Sequence, residues 1–101
     1  MKRNETVAYP QQANFDIDPV EPVYVIGVVS RLVRLPIWTL RILDREGVVI
    51  PKRREGRARL YSLCDVRQLV QIGQLIVEEG VNIQGVRVIL QARRKKAATE
   101  E

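Results

Sequence analysis

The spacing of apolar positions changes several times along this chain, and each change marks an element. Residues 1–22 hold three prolines (Pro10, Pro19, Pro22), a pair of glutamines and no sustained apolar period, which predicts a flexible arm. Val23-Tyr-Val-Ile is a short β-branched run suited to an edge strand. Gly27 is placed to cap a first short helix, Val28 to Val33, which Arg34-Leu35-Pro36 ends. Proline fits only the first turn of a helix, so the next one is expected from Pro36 to Glu46, with Gly47 as its stop.

Past Gly47 the period shortens. Val48-Val-Ile-Pro predicts a second strand halted by Pro51, and Ala58-Arg-Leu-Tyr a return strand. Between them Arg53-Arg-Glu-Gly-Arg makes a turn in which Gly56 is free to take positive φ. Ser62 with Asp65 three residues later is a capping-box variant opening a third helix to about Glu79. Its apolar face is expected to hold Val66, Leu69, Val70, Gly73, Ile76 and Val77. Gly80 ends that helix, and Asn82 caps a fourth in which Ile83, Val86, Ile89 and Leu90 face inward. After Leu90 there is no large apolar residue, and no internal repeat occurs. Helix, tight turn, helix, hairpin, helix predicts a mainly α fold with a small β-hairpin, a winged helix-turn-helix of four helices. It occupies residues 23–91, between the acidic arm of 1–22 and a charged tail of 92–101.

Composition narrows the chemistry. The chain has 101 residues, which suits one domain, and contains no His and a single Cys, Cys64. His-based acid–base catalysis, a His or multi-Cys metal site and an internal disulfide are thereby excluded, and no catalytic residue, cofactor or metal is expected. No apolar run approaches a membrane span and no secretory core follows Met1-Lys-Arg-Asn-Glu, so a soluble, cytoplasmic protein is expected. The net charge is +5. It is unevenly placed: residues 1–22 balance at −2, residues 23–62 at +6 and residues 63–101 at +1. Five cations fall between Lys52 and Arg59, and such a concentration implies a polyanionic partner.

Four segments then fall into register: Tyr24-Val-Ile-Gly27, Thr39-Leu-Arg-Ile-Leu-Asp-Arg-Glu-Gly47, Arg59-Leu-Tyr-Ser62 and Glu79-Gly-Val-Asn-Ile-Gln-Gly85. Over roughly residues 23–90 they resemble the MerR-type transcriptional regulators, and Glu-Gly-Val-Asn-Ile is most similar to the heat-shock-repressor branch. The resemblance implies sequence-specific binding of double-stranded DNA through a recognition helix (36–46) and a basic wing (51–61), with a chaperone as a further partner. Departures are visible. Pro36 stands where the family usually has a Ser cap, Ile42 and Leu43 where it often has two Tyr, and Arg34 where it has the Gly of the helix–helix turn. The family's long C-terminal dimerisation helix and its sensor cysteines have no counterpart, so self-association is expected to be weak or templated by DNA.

The residues expected to meet DNA are Ile37, Trp38, Thr39, Arg41 and Arg45 on the recognition helix, and Lys52, Arg53, Arg54, Arg57, Arg59 and Tyr61 on the wing. At about 100° per residue, Arg41, Arg45 and Trp38 share one face of the second helix, opposite Leu40 and Leu43. By resemblance Arg41 holds a backbone phosphate, the competing role being a salt bridge to Asp44 or Glu46. Trp38 has two readings, an indole packed on thymine methyls in the major groove or a core residue. Arg59 matches the family's Arg before an apolar residue and Tyr. Tyr61 either reaches a phosphate or closes the hairpin against the third helix. Cys64 is read as a packing residue, with a reactive thiol as the alternative. Arg93-Arg-Lys-Lys96 is a second basic cluster, read as a solvated helix end. Two other functions fit the same sequence: an architectural or recombination accessory DNA-binding protein, and a protein-interaction module docking an acidic partner.

Overall fold

In a computed structural model, residues 17–53, 56 and 58–99 are described; residues 1–16 of the arm, and Arg54, Glu55 and Arg57 of the wing, lie outside them. The expected strand at Val23 shrinks to a single antiparallel bridge, Tyr24 with Tyr61. The chain turns helical directly afterwards, because the Val25 carbonyl accepts the Val28 and Val29 N–H groups at 3.1 and 3.0 Å. Helix α1 therefore spans Ile26–Val33, with Val25 and not Gly27 at its cap.

Its other end is a strained turn. Arg34 takes the left-handed conformation (φ 60°, ψ 40°), and its N–H closes on the Ser30 carbonyl. The Ser30 hydroxyl donates to the Leu35 carbonyl at 2.6 Å, which secures the turn into α2, Ile37–Arg45. Pro36 caps α2 with its backbone alone. Gly47, at φ +75°, lets the chain fold back so that the Leu43 carbonyl accepts the Val48 N–H at 2.8 Å.

That fold-back moves the hairpin. Val48 and Val49 are buried in the core and do not form a strand. Pro51 has no N–H to give a ladder, so pairing starts after it. The strands are β1 (Lys52–Arg53) and β2 (Arg59–Leu60), antiparallel, with Lys52 opposite Leu60 and Arg53 opposite Arg59. Gly56 has the expected positive φ of 73°.

Helix α3 (Leu63–Gly73) opens with the expected capping box: Ser62 Oγ accepts the Asp65 N–H at 3.1 Å, and Asp65 Oδ2 accepts the Ser62 N–H at 2.9 Å. It runs into a π-helical turn, Gln74–Glu78, instead of continuing as α-helix to Glu79. The inward residues are Val66, Leu69, Ile72, Gly73 and Leu75, whereas Val70 and Val77 are exposed, which corrects the expected phase of this face. The wider turn brings Leu75 into the core and turns Val77 outward. Helix α4 (Ile83–Thr99) starts with the Asn82 side chain accepting the Gly85 N–H at 2.8 Å. Val86 and Leu90 are buried and Ile83 and Ile89 pack against them, as expected; residues 91–98 are exposed.

One core joins these elements, holding Val29 and Val33 of α1, Leu40 and Leu43 of α2, Leu69 and Ile72 of α3, and Val86 and Leu90 of α4. Four helices and one hairpin in this order are a winged helix-turn-helix.

Candidate nucleic-acid interface

Helix α2 buries one side in the core. Leu40 and Leu43 are sealed in the core, while Ile37, Trp38, Arg41 and Arg45 are exposed. Trp38 keeps 64% of its surface open, which settles its two readings against the core. A large indole left in water on the face opposite the leucines is an exposed apolar group.

Between α2 and the wing lies an open groove of about 690 Å³, lined by Arg41, Asp44 and Arg45 from the helix and by Pro51, Ala58, Arg59 and Tyr61 from the wing. Three guanidinium groups meet one carboxylate there. Arg59 Nη1 donates to both oxygens of Asp44, at 3.0 and 2.8 Å. Arg41 and Arg45 have no ion pair among the described residues, and Glu46, the other carboxylate suggested for Arg41, lies 3.7 Å from Arg87 of α4. Lys52 and Arg53 are exposed on β1. Arg54 and Arg57 fall outside the described residues.

Three of the expected contact residues have other occupations. Thr39 is buried, its position on α2 pointing to the core side with Leu40. Tyr61 is also buried, at 1% exposure, closing the base of the hairpin against the core. Burial pushes its hydroxyl up to a pKa of about 12, with Asp44 and Asp65 adding to the rise and Arg59 and Arg41 opposing it. Arg59 holds Asp44. Asp44, considered from the sequence only as a partner for Arg41, is taken by Arg59 instead. Cys64 is exposed and free in the first turn of α3, and its backbone N–H donates to the Pro19 carbonyl at 2.9 Å. Among the described residues no cluster of acidic or Cys side chains is arranged to hold a metal.

The model of the MerR HTH family of regulatory proteins matches residues 24–93, from the bridge at Tyr24 into α4. This chain belongs to the MerR family. Among relatives, it is 40% identical over 83 residues to the putative heat shock protein HspR of Streptomyces coelicolor, covering 82% of this chain and 55% of that one. It is 33% identical over 69 residues to the HTH-type transcriptional regulator GlnR of Bacillus anthracis, covering 68% of this chain and 53% of that one. The chain thus spans about half the length of these curated relatives. The matched MerR region contains α1, α2, the wing, α3 and the first part of α4, so the groove and its cations lie wholly within it.

Proposed function

We propose that this MerR-family chain is a sequence-specific DNA-binding transcriptional regulator, with α2 in the major groove and the wing along the sugar–phosphate backbone. The observation that supports the reading best is the one-sided exposure of α2: Trp38, Arg41 and Arg45 face solvent beside the cationic wing, and Leu40 and Leu43 fix the other side. Arg41 and Arg45 act on phosphates, as do Lys52 and Arg53 and the further wing cations Arg54 and Arg57. Ile37 and Trp38 supply apolar contact to base edges, thymine methyls being the obvious target.

Similarity to a heat shock protein makes heat-shock genes the first promoters to test, and a chaperone the first protein partner. A nucleoid location follows from DNA binding; among the described residues no helix is long and apolar enough to cross a membrane. The test is genome-wide mapping of bound fragments, followed by affinity against salt for the enriched duplex. Enrichment of a shared sequence, with log affinity falling steeply with log salt, is the expected result. Uniform genome coverage would favour an architectural role, and no DNA retention at low salt would end the reading.

A further inference from the structure

The three arginines of the groove are not equivalent, because Asp44 selects one of them. Asp44 stands on α2 between Arg41, one turn before it, and Arg45, its neighbour, yet its carboxylate is taken by Arg59, fifteen residues further along the chain. The pair joins the exposed side of α2 to the second strand of the wing. The hairpin needs such a tie. Each strand has two residues, and a ladder that short has little stability of its own. Its base is fixed at Tyr61, buried beneath it and bridged to Tyr24, and two residues before Tyr61 on the same strand stands the exposed Arg59.

We propose that Asp44 is a positioning residue for DNA binding: through Arg59 it sets the angle of the wing on the recognition helix, and it leaves Arg41 and Arg45 as the phosphate-binding arginines of the groove. The proposal rests on the DNA-binding reading above. Arg59 is then withheld from the phosphates, its charge cancelled by Asp44. The pair is half exposed, with side-chain exposures of 47% and 22%, so it contributes little to stability and acts through geometry. The groove presents a net excess of positive charge at two points, Arg41 and Arg45, rather than a diffuse patch of three.

The two roles for Arg59 predict different outcomes when Asp44 is neutralised. If Arg59 is a phosphate ligand, Asp44→Asn releases it, steepens the salt dependence by about one unit and leaves discrimination intact. If Asp44 positions the wing, Asp44→Asn loosens the hairpin and costs discrimination.

The experiment uses the full chain and two probes: a duplex enriched from a random pool on the wild-type protein, and a scrambled duplex of the same composition. Expected for Asp44→Asn is a fall of about tenfold in the enriched-to-scrambled affinity ratio. Amide exchange at Lys52, Arg53, Arg59 and Leu60 should also quicken in the DNA-free protein. The exchanged pair Asp44→Arg with Arg59→Asp, which keeps net charge and the ion pair, should recover both. A ratio unchanged in Asp44→Asn, or an exchanged pair no better than the single variant, overturns the proposal. If the wild type retains no duplex at all, the DNA-binding reading fails separately. The exchange data then decide alone whether Asp44 holds the wing, and unchanged hairpin amides refute it.

Discussion

Tyr24 and Tyr61 exchange backbone hydrogen bonds, the Tyr61 N–H donating to the Tyr24 carbonyl at 2.7 Å and the Tyr24 N–H to the Tyr61 carbonyl at 2.9 Å. The same Tyr61 carbonyl accepts the Val23 N–H at 3.0 Å. One residue therefore ties the exit of the wing to the entrance of α1, and its ring fills the space beneath. The exit of the wing cannot leave the core without exposing the ring.

Alkaline pH should find this residue. With the Tyr61 pKa raised to about 12 in the folded protein against 10.0 for an ordinary tyrosine, the folded state holds its proton while the unfolded chain releases it. The raised value means full stability below pH 10 and a loss as pH rises towards 12, amounting to roughly 2–3 kcal/mol across the interval. Urea unfolding at a series of pH values should show this decline, and Tyr61→Phe should flatten it.

Arg41→Ala should weaken enriched and scrambled DNA alike and reduce the salt slope by about one unit, with unfolding unchanged because the residue is exposed. Arg45→Ala should do the same. Fluorescence-anisotropy titrations over a salt series check both.

Trp38→Ala tests base reading. Its surface is open, so the thermal midpoint should move little, within about 0.5 kcal/mol of stability. The enriched-to-scrambled ratio should fall, and a loss of folding would contradict the exposed placement of the side chain.

Arg34→Gly should stabilise the domain. A non-glycine residue in the left-handed region costs about 1 kcal/mol or more, partly offset by the greater freedom of glycine in the unfolded chain. A gain of roughly 0.5 kcal/mol in denaturant unfolding is expected.

Self-association should be weak for this chain. Past Leu90 the exposed surface of α4 offers only Ala92, Ala97 and Ala98 among apolar side chains, and Val88 stands open one turn earlier. Alanines bury too little area to offset the entropy lost on pairing. Sedimentation at micromolar concentration should give a monomer or a weak dimer, with cooperative loading on DNA.

Much of this was legible in the sequence where a local rule governs. Ser62 and Asp65 cap α3 because both partners of the motif lie within one turn, and Leu40 and Leu43 face inward because helical spacing leaves them no other side. Long-range competition hid the rest. Val48 and Val49 have strand propensity, but the Leu43 carbonyl captures their N–H groups and the core captures their side chains. Val23-Tyr-Val-Ile pairs through one residue because its partner strand is so short. Thr39 and Tyr61 carry polar groups suited to DNA, yet each sits on the core side of its element. The bond between Arg59 and Asp44 joins residues fifteen apart, a distance at which no spacing rule operates.

The single indole of this chain lies on its outer surface, and that governs what light can report. Trp38 is already surrounded by water when folded, so unfolding changes its surroundings little and its emission is a poor gauge of denaturation. A duplex seated against α2 would cover the ring and stack or pack on it. If α2 is the DNA-contacting helix proposed above, the indole emission of the protein should respond little to unfolding and strongly to a bound duplex.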